Sequence, residues 1–233
     1  MKISLIIPAA GVGSRMKSEI NKQYLLLGDK PVLAHTINKF HDLSEIDEII
    51  IVAAEDEIDF CRSQVVEKYG FKKVKKIVAG GSQRQESVHK GLLEVQKDSD
   101  YVIIHDGARP FLKEEDIKNF IIELKKQEAL VMAVPEKNTI KKVADSFIIH
   151  TISRENVWEI QTPQGFRRDL LDLAFKEAKG KYHLYTDDSS LVEELQVPVK
   201  IFMGNYLNIK ITAPEDLALG NAILGMFKEE GTK

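Results

Sequence analysis

The sequence predicts an α/β fold: a doubly wound, mostly parallel sheet with a protruding β-hairpin arm. Three observations predict it. Five short runs, at residues 3–7, 49–52, 74–78, 102–104 and 130–134, are β-branched and almost continuously apolar. Strands buried on both faces read this way, and such strands belong to parallel sheets. Amphipathic stretches separate the runs, so the order β-α-β-α-β calls for right-handed crossovers and an open sheet. At residues 136–156 the rhythm breaks, and two strand patterns flank a turn.

Taken in order, the first strand runs into a glycine-rich turn, Pro8-Ala9-Ala10-Gly11-Val12-Gly13. Pro31 suits the first turn of a helix reaching about Leu43, because its missing N–H costs nothing there. Val88, Leu92 and Val95 repeat with helical spacing after Ser82. Ile117, Ile121 and Leu124 share one helical face, with Phe120 beside them. The hairpin is expected as a strand at 139–143, a turn at Ala144-Asp145-Ser146 and a strand at 147–152. An isolated hairpin is marginal in water, so it must lie on its own domain or on a partner subunit. A loop is expected at 161–166, then two short helices, strands near 199–202 and 207–211, and a last helix from about Pro214. No repeat or linker interrupts the pattern, so residues 1–233 read as one domain with 136–156 as an arm.

With 43% apolar and 30% charged residues, the chain can bury a sizeable core. At this length roughly 70% of the unfolded surface leaves water. Disorder, collagen and disulfide-scaffold classes are excluded. The net charge of −3, from 33 basic and 36 acidic residues, gives no whole-chain reason to expect nucleic acid or an anionic membrane as partner. Cys61 is the single cysteine, which leaves no intrachain disulfide and suits a reducing cytosol. The apolar start breaks at Pro8, too early for a signal peptide. The uncharged run at 3–14 is far short of the ~20 residues of a membrane span. A cytoplasmic protein is expected.

Four segments could carry chemistry. Glycines directly after a buried strand let backbone N–H groups approach anionic oxygens. Met16 stands where the dinucleotide fingerprint needs a third glycine, and no Gly-Lys-Ser/Thr follows for a P-loop. What remains is G-x-G-x-R ending at Arg15, with a second cation at Lys22, a pairing that suits a polyphosphate; the plainer reading is a tight turn with two solvated cations. His105-Asp106-Gly107-Ala108-Arg109-Pro110 follows a buried strand, at the sheet edge where ligands bind. Asp106 there could hold Mg²⁺ or cap the next turn, and His105 reads as a hydrogen-bonded structural residue rather than a base. Gly80-Gly81 opens the next helix, where Ser82 and Gln85 have capping-box spacing, or the glycines admit a planar base near Ser87. Lys210, opposite Ile209 and Ile211 in an expected strand, is either an exposed edge lysine or a cation facing a ligand.

Seven motifs in order carry a resemblance across about the whole chain. They are Pro8-Ala9-Ala10-Gly11-x-Gly13-x-Arg15-Met16; Lys22-Gln23-Tyr24; Gly80-Gly81-x-x-Arg84-x-x-Ser87-Val88; His105 to Pro110; Gln161-Thr162-Pro163-Gln164; Thr186-Asp187-Asp188; and Asn208-Ile209-Lys210-Ile211-Thr212. The chain resembles the 2-C-methyl-D-erythritol 4-phosphate cytidylyltransferases, Rossmann-like nucleotidyltransferases of the non-mevalonate isoprenoid pathway. The resemblance implies that Ala9, Ala10, Gly11 and Gly13 cradle CTP, that Gly81, Ser82 and Ser87 surround the cytosine, and that Gly107 lies near the ribose. It implies Mg²⁺ on Asp106, with Arg15, Lys22 and Lys210 around the triphosphate and the reacting phosphorus. It assigns Arg109, Thr139, Arg154, Thr162 and Lys210 to the methylerythritol phosphate. It implies a homodimer whose hairpin brings Thr139 and Arg154 to the partner's site.

Two positions depart from the family's usual pattern: Asn138 precedes the hairpin threonine and Ser82 follows the glycine pair, where many relatives carry Asp. Ribitol-5-phosphate cytidylyltransferase is the nearest rival, but it usually opens Leu-Ala-Gly-Gly and continues differently after Thr186-Asp187. Sugar-1-phosphate nucleotidyltransferases lack Gln161-Thr162-Pro163-Gln164 and the hairpin. A non-catalytic nucleotide-binding regulator is the alternative from another class, and it would not need Arg15, Lys22, Asp106 and Lys210 together.

Overall fold

The structure, a computed structural model, describes residues 1–11 and 21–230, with side chains as far as residue 227. At its centre lies β1 (Ile3–Pro8), almost wholly buried. It pairs in parallel with β4 (Glu48–Ala53) on one side and with β6 (Tyr101–Ile104) on the other. Two short strands come between β1 and β4 in the chain: β2 (Leu26–Leu27) and β3 (Lys30–Pro31), which pair only with each other. Beyond β4 lies β5 (Val74–Ala79). Beyond β6 come β10 (Trp158–Arg167), β7 (Ala129–Pro135) and β11 (Lys200–Met203), giving the order β11-β7-β10-β6-β1-β4-β5. Within this sheet β10 alone runs antiparallel.

Alternating side chains on the strands divide the core into two layers, as period two requires. Leu5, Ile7, Ile49, Ile51 and Ile103 pack on one face with α1 (Val32–His41) and α4 (Glu114–Leu124), and α2 (Ile58–Cys61) lies on this side too. Ile6, Ile50, Val52, Val102 and Ile104 pack on the other face with α3 (Arg84–Leu93), α5 (Arg168–Glu177) and α6 (Asp188–Glu193). Each such fully buried side chain, on strand or helix, contributes roughly 1.5–3 kcal/mol. Gly91 keeps α3 close to the sheet: a Cβ there would lie 2.8 Å from Ile6 and 2.9 Å from Val52. The last helix, α7 (Pro214–Glu230), begins where the Asp216 carboxylate accepts the backbone N–H groups of Thr212 and Ala213.

The five expected strands are present, but β5 is an edge strand with no fully buried residue rather than one buried on both faces, as Lys75 and Lys76 show. The helices after Pro31, after Ser82, over 117–124 and from Pro214 are present, the first starting at Val32. Three further expectations are corrected. Residues 161–166 are strand, not loop: the central strand β10 absorbs Pro163 in a register shift between Ile160 and Gln164, which places the missing donor where no ladder bond is due. Residues 207–211 form no strand; Ile211 N–H donates to Ala108 O, and the hydrophobics that looked like a strand pack against α7. Ser82 pairs with Glu86 rather than Gln85, through its N–H at 2.8 Å and its hydroxyl at 3.0 Å, while Gln85 reaches Tyr185 O.

The hairpin forms as β8 (Ile140–Ala144) and β9 (Phe147–Ile152). Asp145 and Ser146 both have positive φ, 47° and 67°, the two-residue turn whose twist suits a hairpin. The arm is a separate two-stranded sheet whose apolar side chains face outward; Phe147 is 78% exposed.

Candidate active site

Strand order sets the place of the site. From β1 the chain builds β4 and β5 to one side, then returns to build β6 on the other. The loops leaving β1 and β6 therefore diverge, and the crevice between them is where open α/β sheets bind ligands. A cavity of about 430 Å³ opens there. Ala9, Ala10 and Gly11 line it after β1, Gly107 after β6, and Gly81, Ser82 and Ser87 at the start of α3, with Lys22, Asp106 and Lys210 alongside. Gly13 and Arg15 lie outside the described residues. A second cavity, also about 430 Å³, adjoins it and includes Arg109, Thr162, Gln164, Asp187, Ser189 and Ser190. Arg84, Asp106 and Lys210 belong to the walls of both.

The crevice walls are held by a set of side-chain hydrogen bonds. Gln23 donates to Ala9 O at 2.6 Å, and Glu57 accepts from Asn21 at 2.6 Å and from Gln23 at 3.3 Å. The residues on either side of Lys22 are thus fastened to the end of β1 and to the segment after β4. Ser87 Oγ accepts Gly81 N–H at 3.0 Å and donates to Gln83 O at 3.1 Å, so it shapes the glycine loop from within. Gly80 must lack a side chain, since a Cβ would lie 2.4 Å from that of Ala10.

Asp106 is the electrostatic centre. Its Oδ1 lies 3.1 Å from Arg84 Nε, and its Oδ2 lies 2.8 Å from Lys210 Nζ and 3.5 Å from Arg109 Nε. Burial alone would raise its pKa, but the three cations, Arg84 foremost, hold the carboxyl well below the usual range. A second carboxylate, Asp188, is fully buried and lies 2.8 Å from Arg84 Nη1. Burial raises its pKa, against the pull of Arg84. The first cavity, with Lys22, Arg84 and Lys210 on its walls against Asp106, suits a polyanion.

His105 is structural, as its sequence context suggested. Its Nε2 lies 2.9 Å from Arg109 O, so that nitrogen carries the proton. Thr162 Oγ1 lies 3.0 Å from Nδ1 and accepts Asp106 N–H at 3.1 Å, so the threonine hydroxyl donates to the ring. Complete burial lowers the His105 pKa to about 4 and keeps this neutral tautomer. The chain His105–Thr162–Asp106 ties β10 to the end of β6.

Thr139 and Arg154 line neither cavity; both are exposed on the arm, where Arg154 donates to Lys137 O at 2.6 Å. Arg84, Gln23 and Glu57 gained no role from sequence. Arg84 and Gln23 stood inside quoted motifs, whereas nothing local marked Glu57. Arg109 Nε and Arg84 Nη1 are buried and face carboxylates as ion pairs, Asp106 Oδ2 at 3.5 Å and Asp188 Oδ2 at 2.8 Å, without hydrogen-bond geometry.

A mostly parallel α/β sheet that gathers cations around one carboxylate at its switch point, beside a glycine-lined cradle, has the architecture of a nucleotidyltransferase. The chain belongs to one family of that class: a sequence model of "IspD: 2-C-methyl-D-erythritol 4-phosphate cytidylyltransferase" matches residues 3–226. It is an enzyme with that family's transferase activity. The 2-C-methyl-D-erythritol 4-phosphate cytidylyltransferase of Alkaliphilus metalliredigens is 45% identical over 229 residues, covering 98% of this chain and 95% of the relative. That of Geotalea uraniireducens is 44% identical over 232 residues, covering 99% and 100%. The crystal structure of 4-diphosphocytidyl-2C-methyl-D-erythritol synthase from Anaerococcus prevotii superposes with a TM-score of 0.83, at 36% identity over 96% of each chain.

Proposed function

We propose that the first cavity takes CTP, the second takes 2-C-methyl-D-erythritol 4-phosphate, and the two react across the wall formed by Arg84, Asp106 and Lys210. The observation that carries this reading is that those three residues belong to both cavities. A phosphate oxygen of the polyol substrate forms a bond to the α-phosphorus of CTP. The bond from that phosphorus to the bridging oxygen breaks in line, and its electron pair leaves with pyrophosphate. The product is 4-diphosphocytidyl-2-C-methyl-D-erythritol.

The nucleophile is already an anion, so no base is needed, in keeping with a His105 committed to structure. The difficulty is repulsion between two anions: unit charges ~5 Å apart at an effective dielectric of ~20 repel by about 3 kcal/mol. Lys22, Lys210 and Arg15 serve as the catalytic cations, offsetting that repulsion and the charge that grows on the leaving group. Ala9, Ala10, Gly11 and Gly13 offer backbone around the triphosphate; Gly81, Ser82 and Ser87 frame the base, and Gly107 the ribose. Arg109 and Lys210 hold the substrate phosphate. Thr162 meets the substrate through its remaining oxygen lone pair, since its proton goes to His105.

Among the described residues no group of three or more His, Cys, Asp or Glu could cage a metal. One carboxylate beside a phosphate cradle does fit Mg²⁺, which commonly takes one or two carboxylates and fills its shell with phosphate and water. Asp106 would hold it, with Arg109 and Lys210 yielding Oδ2. Bound there, the ion neutralises phosphate charge.

Residues 1–233 form one domain in this reading, with 136–156 as the arm. The exposed apolar side chains of the arm favour a homodimer in which Thr139 and Arg154 reach the partner's site, Arg154 gripping phosphate bidentately. No helix among the described residues is long and apolar enough to cross a membrane, and the lone Cys61 fits a cytoplasmic enzyme. Product analysis by ³¹P NMR tests the chemistry. CTP and methylerythritol phosphate should yield pyrophosphate and one new diphosphate with two coupled resonances. CDP and a substrate bearing an extra phosphate would contradict cytidylyl transfer.

A further inference from the structure

We infer that Asp188 is a positioning residue of the transfer, acting through Arg84 from behind the wall of the site. The inference rests on the function proposed above. Asp188 is fully buried, and it lines neither cavity although Asp187, Ser189 and Ser190 line the second. Its Oδ2 lies 2.8 Å from Arg84 Nη1, and the same guanidinium places Nε 3.1 Å from Asp106 Oδ1. A guanidinium is planar and rigid, so a carboxylate that fixes Nη1 also fixes the aim of Nε.

The carboxylate is itself fixed. It sits in the first turn of α6, whose start is fastened to β10. Gln164 Nε2 donates to Asp187 Oδ2 at 2.8 Å, Gln164 Oε1 accepts Ser189 N–H at 3.0 Å, and Asp187 Oδ1 accepts Ser190 N–H at 3.1 Å. A rigid strand thus holds the helix turn, the turn holds Asp188, and Asp188 holds Arg84.

The charge balance gives the arrangement its purpose. Asp106 already faces Arg109 and Lys210. Without Asp188 the whole of the Arg84 charge would fall on Asp106 or swing toward bound phosphate. A buried charge that loses one of its two carboxylate partners is left to the other alone, and its aim shifts. CTP would then bind at least as tightly, but in a geometry less suited to reaction.

Steady-state kinetics of the full-length enzyme tests this. Asp188→Asn keeps shape and removes charge. Its kcat should fall at least ~10-fold, the usual loss for an outer partner of a site residue, while the KM for CTP stays level or falls. Arg84→Gln with Asp188→Asn should be no slower than Arg84→Gln alone, because the two act as one unit. Unchanged kcat, a KM effect without a kcat effect, or losses that multiply would each overturn the inference. Should Asp188→Asn fail to fold, Arg84→Lys, which keeps the charge and loses the rigid bridge, should show the same kcat-selective loss; wild-type kcat there would overturn the inference too. Wild-type enzyme assayed in parallel separates the two readings. Absence of its pyrophosphate release would sink the proposed function itself, whereas an active wild type with an equally active Asp188→Asn would sink only the role of Asp188.

Discussion

Lys210 Nζ lies 2.8 Å from Asp106 Oδ2, although Asp106 stands just beyond strand β6 and Lys210 in an irregular segment before α7. The pair makes the segment between β11 and α7 part of the site. If Lys210 neutralises phosphate charge in the transition state, Lys210→Ala should lower kcat about 10²-fold, as for a lost electrostatic stabiliser. Pyrophosphate release at saturating substrates measures it, and near wild-type turnover would remove Lys210 from the catalytic set. Lys22→Ala should behave alike.

The exposed arm gives a second prediction. Arg154→Ala and Lys22→Ala should each be weakly active alone. Mixed and allowed to exchange subunits, they should regain partial activity, because one composite site then has both residues intact. Arg154→Ala alone should raise the KM for the polyol phosphate far more than that for CTP. Mixed subunits as inactive as their parents, under conditions where exchange is demonstrated, would tell against an arm that serves the partner.

His105 predicts a pH dependence of stability. Its folded-state pKa, about 4, lies below the ordinary 6.5. The unfolded chain therefore binds the proton first, and stability is lost as pH falls below 6.5, levelling off below about 4. Urea denaturation of wild type and His105→Gln should show the difference between them shifting by about 2 kcal/mol against the wild type from pH 7 to pH 5. Parallel curves would mean that His105 accepts a proton in the fold.

Metal dependence should be confined to turnover. With one carboxylate rather than a cage, chelation should abolish pyrophosphate release and leave the thermal midpoint of the free enzyme unchanged. Metal-independent turnover would free Asp106 from its metal role.

The central strands were legible because burial on both faces writes an unbroken apolar run, as in β1 and β4. The site was legible where glycine or a lone charge follows such a run, as at Gly11 and Asp106. β10 was not, because Pro163 hides a central strand whose bulge sets the missing donor aside. The segment at 207–211 misled in the other direction: its apolar residues pack on a helix, and apolar alternation alone cannot tell the two apart. Glu57 and the Arg84–Asp188 pair were invisible as partners, since each contact joins residues that only the folded sheet brings together. Whole-chain charge also misled: a net −3 conceals Arg84, Arg109 and Lys210 around one carboxylate.

The most direct test offers the enzyme CTP with methylerythritol phosphate or ribitol 5-phosphate in turn and measures pyrophosphate release. Rapid release with methylerythritol phosphate, and far slower release with ribitol 5-phosphate, is the predicted result. Preference for ribitol 5-phosphate, or no release with either, would contradict the account.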